Sequence, residues 1–128
     1  MSTLVSSLMQ RSVRSVDLDV TIAQIEALFA EHKLSWVAVV SNEGEVLGVI
    51  SESDLTRFRT VLPNLASMHA WQLCTYRPVS VQADAPVDAV ARLMVEHRIH
   101  HVPVIENDRV TGVVSSLDLL QLIGPTDR

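Results

Sequence analysis

The chain is poor in cysteine and in aromatic residues. Its 128 residues include one cysteine, two tryptophans, two phenylalanines and one tyrosine. A single cysteine excludes an internal disulfide and any cluster of thiolate metal ligands. That residue, Cys74, lies in the stretch HAWQLCT. We expect it to be a small buried residue near the end of a short helix.

Positive charge is also scarce. Ten lysine and arginine residues stand against fifteen aspartate and glutamate residues, so the formal charge is -5, and no basic stripe runs along the sequence. This balance argues against nucleic acid as a partner, because non-specific binding depends on neutralising phosphates. It leaves room for a small phosphorylated ligand, since a few local donors are enough to hold one.

Long apolar runs are absent as well. No run approaches the roughly 20 residues that cross a bilayer, so no membrane span is predicted. The opening residues, MSTLVSSLMQRS, lack a basic segment followed by a signal-type apolar stretch, and we expect a cytoplasmic protein. With 48% apolar residues, the chain is long enough to form one compact domain.

The most informative feature that the sequence does contain is an internal repeat. GVISESDL at residues 48–55 returns as GVVSSLDL at residues 112–119. The stretches before the octets also correspond, at an offset of 65 residues for Ser15 and Ser80 and of 64 for Gly48 and Gly112. One residue was therefore lost in between, most easily in a turn. A unit present only twice indicates a duplication rather than an open array.

Each copy is predicted to have the order β-α-β-β-α. In the first copy, a β-prone segment at 13–16 precedes a helix that carries Ile22 and Ile25 on one face, and strands at 36–40 and 46–50 follow. A second helix comes after each serine-rich end, where a serine is the expected N-cap.

These elements predict an α/β (α+β) fold. The two repeats are expected at residues 1–62 and 68–124. Helices cover one face of each small sheet, so the other face stays apolar and is best buried against the second copy. We therefore expect the repeats to pack with pseudo-twofold symmetry.

The repeated octet combines a glycine, a serine at the end of a strand and an aspartate within the first turn of a helix. A helix N-terminus favours an anion, and a carboxylate there can accept hydrogen bonds from a vicinal diol such as a ribose. The same serine and aspartate, three residues apart, also fit a helix cap. Both interpretations stay open for Ser51 with Asp54 and for Ser115 with Asp118.

The two repeats resemble a tandem pair of CBS domains, a Bateman module. The resemblance rests on GVISESD, GVVSSLD and the stretch RIHHVPVI before the second octet, and it extends from about Leu4 to Ile123. It implies a regulatory module that binds adenine nucleotides or related adenosyl ligands (AMP, ADP or ATP-like) in clefts between the repeats. Signalling to a partner by conformational change is also implied, with no required cofactor beyond this regulatory ligand.

The same resemblance implies the site residues. The motif aspartates would bind the ribose hydroxyls with the motif serines nearby, and an apolar slot would hold the base. Two histidines match a stretch that supplies a basic side chain to phosphates in some relatives, and protonation would make that contact depend on pH. The implied residues are Ser51, Asp54, Ser115, Asp118, Val79, Ser80, Pro103, His100 and His101.

Repeat one departs from the family's pattern. Its residues 35–39 read SWVAV where residues 100–104 read HHVPV, so the proline and the basic pair are missing. The two sites are therefore not expected to be equivalent. Arg57 and Arg59 follow Asp54 and are candidate phosphate contacts, with a solvated helix face as the alternative.

The last helix is apolar on almost every side, which is typical of an element buried on more than one face. Relatives with this fold commonly form flat dimers. We therefore predict a homodimer through the second helices of the repeats, with Leu119, Leu120, Leu122 and Ile123 in the interface.

No arrangement of nucleophile and base stands out, so we do not expect an enzyme. The positions of His97, His100 and His101 argue against a metal site, because the first ends a helix and the others alternate along a strand. A sensing module that acts on an unknown effector protein is the leading interpretation. The alternative is a ligand-free dimerisation scaffold whose pockets have degenerated.

Overall fold

A computed structural model describes residues 3–123. None of the helices in this range is long and apolar enough to span a membrane. Single 3₁₀ turns occupy Val5–Ser7 and Leu65–Ser67. The strands and helices, in chain order, are β1 (Ser15–Asp17), α1 (Ile22–His32), β2 (Trp36–Val40), β3 (Val46–Ser51), α2 (Glu52–Arg59), α3 (Ala70–Leu73), β4 (Thr75–Tyr76), α4 (Val87–His97), β5 (His101–Glu106), β6 (Arg109–Ser115) and α5 (Ser116–Ile123).

The first repeat has the predicted order β-α-β-β-α, and the mixed α/β class is confirmed. In the second repeat the initial strand is reduced to a single parallel bridge between Val81 and Val104. The chain divides into two compact units, and one of them is Arg14–Pro78. The other combines the residues up to Val13 with those from Val79 onward.

The unit of residues 14–78 is built on a four-stranded sheet in the order β1-β2-β3-β4. β1 and β2 are parallel, and the other neighbours are antiparallel. Helix α1 packs on the core because Ile22, Ile25 and Phe29 recur at helical spacing and are buried. Thr21 and Gln24 form a capping box at its start, and Lys33 ends it in the left-handed conformation.

The other unit contains the antiparallel pair β5-β6. Helix α4 buries Val90 and Met94 against this pair, and Arg98 ends the helix with φ 55°, as Lys33 ends α1. Pro86 lies at the N-cap of α4, one position before the first helical turn, where a proline is also common. At either position its missing N–H costs the helix no hydrogen bond.

Each unit also contains the opening segment of the other repeat. Helix α3 and strand β4 lie at the start of the second repeat, yet Thr75 and Tyr76 pair with Val49 and Gly48 of the first. In the other unit, Gln10 pairs with Val113 of β6. The compact units therefore exchange short segments relative to the sequence repeats, so the repeat boundaries at 62 and 68 remain a prediction.

The motif glycines lie where the exchanged segments pair with β3 and β6, and a side chain there would collide with them. A Cβ at Gly48 would lie 2.6 Å from the Thr75 carbonyl oxygen and 2.8 Å from Cys74 Sγ. A Cβ at Gly112 would lie 2.7 Å from Met9 Sδ and 3.0 Å from the Gln10 carbonyl oxygen. Each glycine therefore permits the opening segment of the other repeat to approach the strand closely.

The structure shows how far two residues singled out by the sequence, Cys74 and Leu119, are buried. Cys74 is buried at the C-terminal end of α3, as expected, and burial raises the pKa of its thiol. Leu119 was assigned to a dimer interface, but it is half-buried and packs against the core that contains Val102 and Val114. Leu119 thus lies on the inner face of α5, and its place in a dimer interface stays a prediction. The exposed apolar side chains of this helix are Leu117, Leu120, Leu122 and Ile123.

Candidate functional site

The motif serine and aspartate of repeat two form a reciprocal pair at the start of α5. The Ser115 N–H donates to Asp118 Oδ2 at 2.8 Å, and the Asp118 N–H donates to Ser115 Oγ at 3.2 Å. Asp118 is 9% exposed and is the buried charged residue of the described core. The capping interpretation of this pair is correct, and it places a carboxylate at the positive end of a helix dipole.

Repeat one has the same arrangement at the start of α2. The Ser51 N–H donates to Asp54 Oδ2 at 3.1 Å, and the Asp54 N–H donates to Ser51 Oγ at 3.1 Å. The Ser51 hydroxyl also contacts the hydroxyl of Ser53 at 3.0 Å. The carboxylate of Asp54 is 18% exposed. Ser51 rather than Ser53 is therefore the N-cap, and Ser115 has the corresponding position in repeat two.

The second oxygen of each carboxylate accepts from a long side chain. Asp118 Oδ1 accepts from Gln10 Nε2 at 3.1 Å, and Asp54 Oδ1 accepts from Arg57 at 2.5 Å. The two half-sites thus share a geometry but differ in charge, because an amide covers one carboxylate and a guanidinium covers the other. Arg59, the other candidate phosphate contact, is paired with Glu26 on α1.

Gln10 was not among the residues that the sequence singled out. It lies 108 positions from Asp118 and reaches that residue only because its segment joins the opposite unit. The sequence signal for this contact is that VSSLMQ, at residues 5–10, corresponds to the stretch HAWQLCT around α3. That match equates the two segments without showing which repeat each one joins.

The predicted histidines lie at the start of β5, close to the motif pair. His101 is half-buried and sits opposite Ser115 in the antiparallel ladder. His100 is exposed, and its carbonyl accepts from the Ser116 N–H at 2.9 Å. Burial lowers the pKa of His101, and the neighbouring His100 lowers that pKa further, against the opposing effect of Asp118. His101 is thus held mainly neutral at pH 7, within the electrostatic field of the motif aspartate.

The residues predicted to line a base slot are also brought together within this unit. The Val81 N–H donates to the Pro103 carbonyl at 3.1 Å, so the segment with Val79 and Ser80 runs beside β5. Pro103 is fully buried, Val79 is half-buried and Ser80 is exposed. Pro103 therefore serves the core of the unit, which leaves Val79 as the more accessible apolar group.

Two surface cavities of the described residues lie away from the motif pairs. One, of about 450 Å³, lies between the loops that follow β1 and β2 and is lined by Asp17, Asp19 and Glu43. The other, of about 490 Å³, lies between α1 and α2 beside Glu26 and Arg59. Neither is lined by Ser51, Asp54, Ser115 or Asp118.

The lowered pKa of His101 predicts that stability falls in acid. An unfolded histidine titrates near ~6.5, whereas the folded chain binds that proton only at lower pH. The unfolded state then holds more protons as the pH falls below about 6.5, so stability present above that pH is progressively lost. We expect the melting temperature to fall less between pH 7.5 and 5.0 in His101→Gln than in the wild type.

His100→Gln is the matched control for this experiment, because its side chain is exposed beside the same strand. It should reproduce most of the decrease in melting temperature seen in the wild type, because burial of His101, the larger cause of its lowered pKa, is kept. An unchanged pH dependence in His101→Gln would show that the acid sensitivity arises elsewhere.

The fold and the paired motifs agree with comparisons to known proteins. The profile of the CBS domain matches residues 5–60 and again 70–125. The chain belongs to the CBS domain family. In structure, this CBS domain pair resembles the CBS-domain containing protein ATU1752 from Agrobacterium tumefaciens, with 30% identity and a TM-score of 0.87. The match covers 94% of this chain and 93% of that one.

A second structural neighbour was crystallised with ligands. The CBS domain pair of protein MJ0100, in complex with 5'-methylthioadenosine and S-adenosyl-L-methionine, has 25% identity and a TM-score of 0.88. The similarity covers 97% of this chain and 98% of that one. CBS pairs of this fold thus include proteins that bind adenosyl ligands.

Curated relatives are mostly longer than this chain. YlbB of Bacillus subtilis is 36% identical over 84 residues, which are 65% of this chain and 57% of YlbB. L-aspartate semialdehyde sulfurtransferase of Methanocaldococcus jannaschii is 25% identical over 95% of this chain, but the match covers 23% of the enzyme. The CBS pair therefore spans about a quarter to just over half of these relatives.

Proposed function

We propose that this CBS pair is a regulatory module that binds an adenosyl ligand at the motif aspartates. The observation that carries the proposal is the complex of the MJ0100 CBS pair with two adenosyl compounds, since the similarity extends over nearly the whole of both chains. The repeated serine and aspartate pairs support it, because each sets a carboxylate at a helix N-terminus beside backbone N–H groups.

In this proposal the vicinal hydroxyls of the ribose donate to Asp118 or Asp54. A carboxylate has about four lone-pair positions, so the cap hydrogen bond from the serine N–H leaves acceptor capacity for a diol. Val79 contributes apolar contact to the base. In repeat one, Arg57 is already at the carboxylate and would pair with a phosphate if the ligand carries one. Phosphorylated ligands such as AMP or ATP would therefore favour repeat one.

Regulation requires that the ligand bind two conformations of the module with different affinities. An unidentified effector protein would then respond to the change. Relatives with enzymatic names are consistent with this role, because the matched region is only a part of them. We propose accordingly that the CBS pair itself performs no catalysis.

A ligand-free scaffold is the second candidate. One observation favours it: both oxygens of Asp54 and of Asp118 already accept hydrogen bonds from the protein. In that case the carboxylates would only cap α2 and α5. The scaffold predicts a stable assembly and no response to adenosyl compounds.

We further propose that the chain forms a homodimer through α5. Leu117, Leu120 and Ile123 are exposed on this helix, whereas the equivalent positions of α2 are the polar Ser53, Thr56 and Arg59. The outer face of α5 is thus apolar where that of α2 is polar, and a twofold contact lets the α5 face cover its own copy. A second copy of the chain is favoured over a foreign partner as the group that covers this face, because every copy carries the same apolar patch.

A thermal-shift series tests the proposed ligand class. The compounds are AMP, ADP, ATP, adenosine, S-adenosylmethionine, 5'-methylthioadenosine and GTP. A ligand present at ~100 times its dissociation constant stabilises the folded state by ~2.7 kcal/mol, which is several degrees in melting temperature. We expect stabilisation by adenine compounds and a smaller effect of GTP.

Asp118→Asn and Asp54→Asn assign the response to a half-site. Asparagine keeps a side-chain oxygen for the cap but loses the charge that attracts a diol, so folding should be retained with weaker binding. If no adenosyl compound shifts the wild type at millimolar concentration, the scaffold is the better description. If both variants respond as strongly as the wild type, the ligand binds elsewhere.

A further inference from the structure

The side chain of Gln10 is hydrogen-bonded to the carboxylate of Asp118. Gln10 Nε2 donates to Asp118 Oδ1 at 3.1 Å, while Asp118 Oδ2 is held by the Ser115 N–H at 2.8 Å. The cap bond is local, whereas the bond from Gln10 joins residues 108 positions apart. The two oxygens of one carboxylate therefore have partners of different kinds, and only one of them belongs to the helix.

The backbone of Gln10 does not depend on this side-chain contact. Its N–H donates to the Val113 carbonyl at 2.9 Å, and the Val113 N–H donates back to the Gln10 carbonyl at 2.9 Å. The preceding residue, Met9, is buried in the core, while Gln10 is exposed. The side chain can therefore leave Asp118 by rotating into solvent, with the strand pairing unchanged and one hydrogen bond to the carboxylate lost.

We infer that Gln10 is a displaceable occupant of the ribose-binding carboxylate and lowers the affinity of this half-site for a nucleoside. The inference rests on the proposed function, in which Asp118 accepts from a vicinal diol. An amide N–H and a hydroxyl are both neutral donors, so the exchange leaves the charge of the site unchanged. Binding then releases the Gln10 side chain, so the occupied state changes the opening segment of repeat one.

Repeat one provides the contrast. Arg57, which covers Asp54, lies on the same helix three residues away and carries a charge that remains after displacement. Substituting Arg57 would remove a potential phosphate contact as well as a group that competes with the ligand for Asp54. Gln10 has no such second role, so its removal reports on competition alone when the probe is adenosine, which has no phosphate.

The experiment compares adenosine binding by calorimetry in the wild type, Gln10→Met and Gln10→Ala. Methionine keeps the length of the side chain but cannot donate a hydrogen bond. We expect both variants to bind adenosine roughly 10-fold more tightly, the lower end of the factor for one competing hydrogen bond to a charged group. A purely structural role of Gln10 predicts the opposite sign, since loosening the site would weaken binding.

Arg11→Met is the matched control. Arg11 is the next residue of the same segment, but its side chain donates to the Ser6 carbonyl at 3.0 Å rather than to Asp118. The Arg11→Met variant should bind adenosine with the same affinity as the wild type. An equal gain in Arg11→Met would overturn the inference, because the effect would then belong to the segment as a whole.

The outcomes separate this inference from the proposed function. Binding by the wild type with equal or weaker binding by the Gln10 variants refutes the role of Gln10 and leaves the proposed function intact. Binding by the Gln10 variants alone supports both. Absence of binding in every protein refutes both.

A second measurement uses the wild type only, so it does not depend on how the variants fold. The side-chain amide resonances of Gln10 in isotope-labelled protein should shift at the adenosine concentration that saturates the site. A resonance that stays fixed at saturation would refute the displacement.

Discussion

Gly48→Ala is expected to destabilise the unit of residues 14–78 by roughly 2–3 kcal/mol, the upper part of the range for overpacking a close-packed site. The added Cβ would lie 2.6 Å from the carbonyl oxygen of Thr75, which is backbone, and 2.8 Å from the buried Cys74 Sγ. Neither atom is the end of a flexible side chain. Relief therefore requires that β4 move away from β3, where Thr75 and Tyr76 are paired.

Gly112→Ala is the matched control, because it alters the equivalent position of the other unit. Its nearest neighbour is Met9 Sδ at 2.7 Å, the flexible part of a methionine, and the nearest backbone atom is at 3.0 Å. We expect Gly112→Ala to lower the free energy of unfolding by about 1 kcal/mol or less, since methionine adapts to small changes of volume. Urea unfolding of both variants measures the difference. Equal losses, or a larger loss for Gly112→Ala, would contradict the assigned contacts.

These glycines show how far the sequence could predict the fold. The repeated octets and helical spacings predicted β-α-β-β-α, because periodic apolar residues determine which faces are buried. The structure adds a close backbone approach at each glycine. The approaching group was not predictable, since β4 has two residues and the segment at Gln10 forms a single bridge. Such short pairings have no periodicity, and their partner is chosen by tertiary packing.

In the candidate site, too, the local contacts could be predicted from the sequence and the long-range contacts could not. The pairing of Ser115 with Asp118 could be predicted because both residues lie within one turn of helix, and local spacing fixes their geometry. The hydrogen bond from Gln10 could not, because it depends on which unit an N-terminal segment joins. The pKa of His101 likewise depends on burial, and the strand pattern HHVPV does not state which histidine turns inward.

Leu120→Glu is expected to convert a dimer of this chain into monomers. Leu120 is 57% exposed in the isolated chain, and its neighbours Leu117 and Ile123 are 69% and 77% exposed. In the proposed twofold contact these side chains would be buried against their own copies. Two glutamates, one from each chain, would then be placed near the twofold axis without a cationic partner on α5, which has no basic residue in its last turn. Burying unpaired charges costs more than such an interface provides.

Thr56→Glu supplies the control, because Thr56 occupies the equivalent exposed position of α2. If α5 alone forms the contact, this variant remains a dimer in sedimentation velocity, while Leu120→Glu sediments as a monomer with an unchanged melting temperature at low concentration. Dissociation by both variants would show that the helices of both repeats share the interface. A monomeric wild type at high micromolar concentration would refute the dimer, and the exposed leucines would then need another partner. The contrast between the two helices is what makes the test decisive, since the duplication gave them the same caps but only α5 has an apolar outer face.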